Sequence, residues 1–479
     1  MTNQVFPDCP DDVCIIDAVR TPITRANKGA FAKTRPEVLL SACLKALSQR
    51  TGLPTGKVED ICVGNVLGIA GSANVSRMAA LHAGYPVSTA VSTCNRQCSS
   101  GLQAVAHIAA AITAGSIDIG IGAGMESMTM DLPKPSKLER SDLQGNASGT
   151  SNDPGKKAVG GPGLNALSAS AAAAVAPEML QVKEAADCLI PMGVTSEIVA
   201  TRFGITRSEQ DAFAVDSHAK AAKARREGLF DSEIVPVTVS VPAGKDSAET
   251  VTVTVSQDDG IREGVTEEAL AKLKPAFVKP GSAPGVGTTT AGNASQVSDG
   301  AAAVLLARRS TALALGLPIR AVWRGFVAVG VPPEIMGIGP ALAIPMVLRR
   351  AVRARRPLTL AEDIEVVELN EAFASQAVYC MQKLALRPDQ VNPCGGAIAL
   401  GHPLGATGAR QLATLVPELH RRMQKKGQKR CLGIASMCIG SGMGAAALIE
   451  AVVSGQEDGS NGCCSQSGPC NQACQKSRL

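Results

Sequence analysis

The sequence predicts an α/β fold made of two similar halves with an insertion between them. Strand-like and helix-like segments alternate through the first quarter of the chain. This alternation stops near Asp131 and returns after Gly300. Such alternation is typical of a mostly parallel sheet covered by helices, and its recurrence indicates a duplicated architecture.

The first half contains short apolar runs that predict strands, and segments whose apolar residues repeat at helical spacing. The strands are expected at residues 13–19, 61–67, 89–94 and 117–121. The helices are expected at residues 35–50, 75–83 and 99–113. We therefore expect an N-terminal half at residues 12–128, completed by residues at about 288–310.

The middle of the chain, residues 129–287, predicts a more polar loop domain. Residues 141–176 are rich in Gly, Ser, Asn, Pro and Ala, which favours a flexible insertion. A charged helix is expected at 208–227 and a strand at the alternating TVTVTV segment. A C-terminal half, 311–453, and a tail, 454–479, complete the predicted organisation. Around that half, strands are expected at 301–307, 364–369, 431–438 and 443–449, and helices at 339–352 and 371–384.

Composition limits the class of protein. Hydrophobic residues make up 45% of the chain and aromatic residues only 2%, so the core must consist of Ala, Val, Leu and Ile. The net charge of +5 is small for 479 residues and favours a phosphate-bearing small molecule over a nucleic acid. No apolar run reaches about 18 residues, so no membrane span is expected. Nor does the polar start of the chain resemble a secretory signal.

Fifteen cysteines are present, and most are scattered through apolar segments. This placement is typical of reduced, buried thiols in an intracellular protein. Four others crowd into the tail: Cys463, Cys464, Cys470 and Cys474. Their spacing matches no standard zinc pattern, which favours a disordered tail over a metal site.

Cys98, in STCNRQCSSGLQA, lies between a predicted strand and a predicted helix. A thiol at a helix N-terminus faces unpaired N–H groups, which stabilise the thiolate form of a nucleophile. An inert buried cysteine is the alternative. His402, in GGAIALGHPLGATG, is held among small residues on a rigid loop. It is the strongest of the five histidines as a general base.

Cys438, in SMCIGSGMGAAA, ends a predicted strand at a glycine-rich turn, where free backbone N–H groups such as that of Gly440 could bind an oxyanion. A structural bulge is the alternative. Asn370, in ELNEAFASQA, could cap the following helix or orient a water or carbonyl, and these roles are compatible.

Taken together and in this order, CNRQCSSGLQA, NEAFA, GGAIALGHPLG and CIGSGMG resemble the motifs of the thiolase family. TTTAGNASQVSDGAAAV and VPPEIMGIGP are also similar to thiolase segments. The resemblance covers about residues 13–451 and is closest to the peroxisomal, degradative 3-ketoacyl-CoA thiolases. It implies layered αβαβα packing of the duplicated halves around the inserted loop domain.

The resemblance also implies roles. Cys98 matches the acylated cysteine, His402 its base, and Cys438 the cysteine that exchanges protons with the acetyl-CoA carbon or activates CoA. Asn370 matches the residue that holds a water in one oxyanion hole, and the N–H groups of Cys98 and Gly440 match the other. Coenzyme A is implied as a substrate, with no permanently bound cofactor and no metal. Its implied contacts are Ser295, Met192, Met336 and Phe373 and, more weakly, Arg262 and Phe277.

Several features depart from the family pattern or extend it. The 141–176 stretch looks longer than usual, Cys94 replaces an aliphatic residue, and Pro191 stands where acetoacetyl-CoA-specific thiolases commonly carry His, which favours a broader substrate range. The terminal Ser477-Arg478-Leu479 resembles a peroxisomal address. We therefore expect a peroxisomal or glycosomal enzyme, recognised by an import receptor and assembled as a homodimer or homotetramer.

Two rival interpretations remain open at this point. A ketoacyl-synthase-type condensing enzyme would share the fold but lack the second cysteine in a CxGxG turn, and Cys438 is present. A non-catalytic lipid- or sterol-binding relative need not retain Cys98, His402, Asn370 and Cys438 together.

Overall fold

The structure is a computed structural model, and it describes residues 5–68, 72–132, 175–244, 249–277, 286–351 and 353–453. Most of the predicted 141–176 insertion, and the whole tail with its cysteines and its terminal Ser-Arg-Leu, lie outside the described residues.

Twelve strands form within the described residues, and most of the central ones are buried along their whole length. They are β1 Val13–Arg20, β2 Thr24–Arg25, β3 Asp60–Gly64, β4 Ala90–Cys94, β5 Ile119–Ser127, β6 Val237–Pro242, β7 Thr250–Val255, β8 Ser298–Arg308, β9 Ala321–Gly330, β10 Ile364–Leu369, β11 Arg430–Ile439 and β12 Met443–Val452.

Thirteen α-helices accompany these strands in the described part of the chain. They are α1 Pro36–Thr51, α2 Ser72–His82, α3 Ser100–Ala114, α4 Lys183–Asp187, α5 Met192–Phe203, α6 Arg207–Arg226, α7 Glu267–Ala271, α8 Arg309–Ala314, α9 Gly339–Arg349, α10 Leu360–Asp363, α11 Ala374–Leu384, α12 Ala397–Leu400 and α13 Leu404–Lys426. Short 3-10 turns lie at Thr55–Lys57, Pro177–Gln181 and Pro333–Ile338.

The main sheet repeats one topology in its two halves. Its strand order is β10-β11-β12-β9-β1-β8-β5-β3-β4, and β2 pairs with β8. From the junction outwards, β1-β8-β5 are antiparallel and β5-β3 are parallel; likewise β9-β12-β11 are antiparallel and β11-β10 are parallel. The halves join where β1 pairs with β9. The duplicated architecture inferred from the alternation is therefore present.

The expectation of a mostly parallel sheet is wrong. Three strand pairs in the main sheet are parallel and the remainder antiparallel. The reason is that β8 returns after the insertion to lie between β1 and β5, while β11 and β12 form a hairpin. Local alternation along the sequence carries no information on how these late strands pair.

The middle region supplies polar helices and a separate two-stranded sheet of β6 and β7. Helix α6 begins with a capping box, in which the Thr206 side chain accepts from the Glu209 N–H and the Glu209 carboxylate accepts from the Thr206 N–H. Among the described residues, no helix combines the length and apolar character that a membrane crossing requires.

Two glycines let the N-terminus of helix α13 pack closely against its neighbours, Gly101 at the contact with α3 and Gly405 at the contact with β5. A Cβ atom at Gly101 would lie 2.6 Å from the Gly405 carbonyl oxygen, and one at Gly405 would lie 2.7 Å from the Met125 oxygen. A larger residue at Gly101 would separate the two helices, and one at Gly405 would push α13 away from β5. Because Cys98 precedes α3 and His402 precedes α13, this close approach brings both loops to one place.

Candidate active site

The two loops open onto a cavity of about 540 Å³. Cys98 and His402 both line it, and so do all six residues expected to contact coenzyme A: Met192, Arg262, Phe277, Ser295, Met336 and Phe373. Its inner wall is apolar, with the Phe277 and Phe373 rings in edge-to-face contact at 6.3 Å. Arg25 and Lys28 also line the cavity, beside Arg262, and all three are exposed. The cavity therefore combines a reactive end, an apolar wall and a cationic rim.

His402 is held in one orientation by two neighbours. Its Nδ1 lies 2.7 Å from the Thr407 hydroxyl, which itself donates to the Pro403 carbonyl at 3.0 Å. The hydroxyl must therefore accept from Nδ1–H. On the other side of the ring, the Asn370 amide nitrogen lies 3.4 Å from Nε2. Both contacts favour the tautomer that carries its proton on Nδ1 and its lone pair on Nε2.

The charge state of His402 follows from its burial. Only 4% of the residue is exposed. Burial, and next the positive charge of Arg410, lower the pKa of His402 to about 3. The imidazole is therefore neutral at physiological pH and can accept a proton.

Cys98 is half-buried and faces donors from two loops. Its own backbone N–H and that of Gly440 favour the thiolate and act to lower its pKa. Burial outweighs these donors and raises the pKa of Cys98 to about 11. The expected stabilisation of a resting thiolate is thus wrong, because desolvation dominates over the helix terminus. The thiol needs a base in order to react.

Cys438 is fully buried behind the cavity, at the end of β11. Burial, and next the proximity of Cys98, raise its pKa well above the ordinary value. Gln376 satisfies both of its amide atoms when its nitrogen donates to the Asn370 carbonyl at 3.0 Å and its oxygen accepts from the Ala377 N–H. In that orientation the atom 2.9 Å from the Cys438 sulfur is the amide nitrogen. An N–H donor of this kind favours the thiolate.

A buried carboxylate fixes the relation between the two halves of the site. Glu126, at the end of β5, accepts from the side-chain amide of Asn65 and from the backbone N–H groups of Val66, Leu67 and Gly405 at 2.8–3.1 Å. It thereby links the loop after β3 to the start of α13. Burial raises the pKa of Glu126 to about 7, and the backbone donors oppose that rise.

Asn370 does not cap the following helix. Helix α11 begins at Ala374, with Phe373 in the capping position, so the expected start at residue 371 is wrong. Asn370 is instead fully buried beside His402, and its Oδ1 atom has no hydrogen-bond partner within the described residues. A polar oxygen of this kind needs a donor such as water.

The structure thus brings the predicted residues together and adds several that sequence reasoning missed. Thr407 lies within the GHPLGATG motif and Gln376 follows NEAFA. Both residues are therefore in or near the recognised motifs, but the sequence does not show which side chains they contact. Helical spacing could have suggested that Thr407 returns to the loop of His402. No comparable signal identifies Glu126, Arg25 or Lys28.

Comparison with known proteins agrees with this geometry. The family models described as Thiolase, N-terminal domain and Thiolase, C-terminal domain match residues 13–310 and 317–451. A Mus musculus relative named 3-ketoacyl-CoA thiolase B, peroxisomal, is 51% identical over 439 residues, covering 92% of this chain and 91% of its own.

Solved structures agree as well. The dimeric peroxisomal thiolase of Saccharomyces cerevisiae is 42% identical, with a TM-score of 0.76 over 94% of this chain and 100% of its own. A second Saccharomyces cerevisiae thiolase structure, described as five-layered A-B-A-B-A with two core domains of identical topology, is 37% identical, with a TM-score of 0.66 over 93% of this chain and 99% of its own. The expected layered fold is confirmed, and with both family models matched along nearly its whole length the chain belongs to the thiolase family.

Proposed function

We propose that this chain, an acyltransferase of the thiolase family, cleaves 3-ketoacyl-CoA with coenzyme A to give acetyl-CoA and a shortened acyl-CoA. The reaction belongs to fatty-acid β-oxidation and is reversible as a Claisen condensation. One observation carries the proposal: a neutral histidine and a half-buried cysteine line one cavity with an apolar wall and a cationic rim, and a second, fully buried cysteine lies next to the first.

The first half-reaction forms an acyl-enzyme. Nε2 of His402 takes the proton of Cys98 as the sulfur attacks the ketone carbon. The bond between that carbon and the acetyl-CoA carbon then breaks, and the electron pair becomes the acetyl-CoA carbanion equivalent. Cys438 protonates this carbon, which leaves an acyl thioester on Cys98 and a thiolate on Cys438.

The second half-reaction restores the starting protonation states of Cys98, His402 and Cys438. The Cys438 thiolate takes the proton of the incoming CoA thiol, and the CoA thiolate attacks the acyl thioester. Cys98 leaves as a thiolate and recovers its proton from His402. No metal or resident cofactor takes part in these steps.

Two oxyanions develop at different carbonyl oxygens, and each needs donors in a water-poor site. For one, we assign the backbone N–H groups of Cys98 and Gly440, both of which favour a negative charge at the Cys98 sulfur. For the other, we assign Nε2–H of the protonated His402 and a water held by Asn370. The buried, unpaired Oδ1 of Asn370 supports this assignment, because it can accept from such a water.

Coenzyme A is the substrate that the cavity fits best. Met192, Met336, Phe277 and Phe373 offer apolar contacts for the pantetheine and acyl chain, and Ser295 offers a hydroxyl. At the rim, Arg262 is joined by Arg25 and Lys28. These three cations suit the phosphates of the nucleotide.

The proposal extends to assembly and location. Strand β4 is the outer strand of the N-terminal half of the sheet and is partly exposed, which leaves an unpaired edge for a second copy. This edge supports a homodimer or homotetramer. The protein is peroxisomal, as its Mus musculus and Saccharomyces cerevisiae relatives are named, and we propose the terminal Ser-Arg-Leu as the import signal. The division at residues 12–128, 129–287, 288–310 and 311–453 also stays a proposal.

Acyl-enzyme trapping and proton exchange together test the mechanism. After incubation with acetyl-CoA, peptide mass spectrometry should find the acetyl group on Cys98, and Cys98→Ala should lose labelling and thiolysis. Cys438→Ser should still acetylate Cys98 yet lose exchange of the acetyl-CoA α-protons with solvent. A thioester on another cysteine, or normal exchange in Cys438→Ser, would contradict the assigned roles. Thiolysis measured from acetoacetyl-CoA to longer substrates then defines the range.

A further inference from the structure

Three metal-ligating side chains meet outside the substrate cavity, behind the loop that carries Cys98. Cys62 lies on β3, Cys94 ends β4, and His107 lies on α3. Their two sulfurs and one ring nitrogen all lie within 4.8 Å of one another. In the parallel pair of β3 and β4, Cys62 is opposite Ser92, so Cys94 projects from the same face two residues further along. None of the three lines the substrate cavity.

The spacing is slightly wider than that of an occupied tetrahedral metal site. With metal–sulfur bonds of about 2.3 Å and metal–nitrogen bonds of about 2.0–2.1 Å, zinc holds its ligand atoms roughly 3.5–3.8 Å apart. The Cys62 sulfur lies 3.9 Å from Nδ1 of His107. Small side-chain rotations would bring all three atoms within bonding distance of one ion.

The donor set also selects the kind of metal. Two thiols and an imidazole are soft or intermediate ligands that favour zinc over magnesium or calcium, which prefer oxygen. We propose that Cys62, Cys94 and His107 bind one zinc ion, with the fourth position left to water. Binding releases the thiol protons to solvent, and no electron transfer is involved.

Zinc at this position would join the strand before the nucleophile to the helix after it. The Cys94 thiol donates to the Ser100 carbonyl at 3.4 Å, and Ser100 is the first residue of α3. On binding zinc, Cys94 would give up this hydrogen bond and tie β4 to α3 through the metal. The ion would thus brace the loop of Cys98 from behind without contacting substrate.

The test uses the full-length chain, purified with reductant and dialysed against metal-free buffer after addition of zinc. We expect one zinc per chain by mass spectrometry of the metal, lost in Cys62→Ser and Cys94→Ser. His107→Ala should weaken zinc binding more than about 100-fold, because even an outer partner of a metal ligand contributes roughly 10–100-fold. His107 is exposed, so this variant should fold normally.

Other thiols of the chain provide the controls. Cys98→Ser, and a variant with the four tail cysteines replaced by serine, should both retain the zinc. Cobalt in place of zinc should give a thiolate-to-metal absorption band that Cys62→Ser abolishes. Zinc that follows the tail cysteines, zinc unaffected by the cluster substitutions, or a reduced protein that binds none and instead forms a Cys62–Cys94 disulfide would each overturn the assignment.

Discussion

Removing the Thr407 hydroxyl tests how the base of the reaction is oriented. Thr407 is fully buried, and its oxygen accepts from Nδ1–H of His402 at 2.7 Å. Thr407→Val keeps the shape of the side chain and leaves that N–H unpaired, which costs about 1–3 kcal/mol. The cost falls on the tautomer whose Nε2 carries no proton, which in the proposed mechanism takes the proton of Cys98. If the whole free-energy cost destabilises that tautomer, kcat for thiolysis drops by about 5- to 150-fold.

The matched control is Thr407→Ser, which retains the hydroxyl. It should restore kcat close to that of the parent, while KM stays similar in both variants because Thr407 does not line the cavity. Urea unfolding of each variant separates loss of the base from loss of the fold. A parental kcat in Thr407→Val, or a serine variant as slow as the valine variant, would refute this account of His402.

Three further predictions address the neighbours of the reacting groups. Gln376→Leu removes the amide N–H at the Cys438 sulfur. Because a hydrogen bond to a charged group contributes about 1.5–3 kcal/mol, α-proton exchange should slow roughly 10- to 150-fold while acetylation of Cys98 persists. Exchange in Gln376→Glu should be slower still, and unchanged exchange in either variant would count against an N–H donor at this position. Glu126→Gln should lower the free energy of unfolding by about 2–5 kcal/mol, because an amide cannot accept all four N–H groups. The control is Glu59→Gln, since the exposed Glu59 carboxylate also accepts from backbone N–H groups, those of Asp118 and Ile119. Its expected loss of unfolding free energy is under about 1 kcal/mol. The pKa of His402 is about 3 in the folded chain, below its value of 6.5 when unfolded, so the unfolded state binds the proton first and stability falls as pH decreases from 6.5 towards 3. In His402→Asn, the slope of unfolding free energy against pH should be shallower by up to about 1.4 kcal/mol per pH unit. Identical slopes in the two proteins would contradict a neutral buried imidazole.

Much of the fold could be predicted because hydrophobic periodicity and the boundaries of helices and strands depend on the local sequence. β1, β10 and α6 lie within about a residue or two of their predicted limits. Strand β9 was not predicted, although it joins the two halves of the sheet. Helix α13 was also not predicted, because its first turns hold two glycines and Pro417 lies inside it. Tertiary packing overrides these weak local preferences.

The candidate site likewise has some residues that could be predicted from the sequence and others that could not. Cys98, His402 and Cys438 are reactive side chains in small-residue loops, so they could be proposed from the sequence directly. Their environment depends on contacts between distant segments, and it reversed one expectation: burial, and not the start of α3, sets the pKa of Cys98. The cluster of Cys62, Cys94 and His107 could not be predicted at all, since its spacing of ligands along the chain matches no compact metal motif.

The resting site therefore holds neutral partners. With a pKa of about 11 for Cys98 and about 3 for His402, proton transfer before attack is unfavourable, and charge is best formed together with the new carbon–sulfur bond. The donors that stabilise this charge are backbone N–H groups and the N-termini of α3 and α13, which are fixed before substrate binds. Because Gly101 lets those termini come into contact, the small residues that give the chain its aromatic-poor core also determine where charge can develop during the reaction.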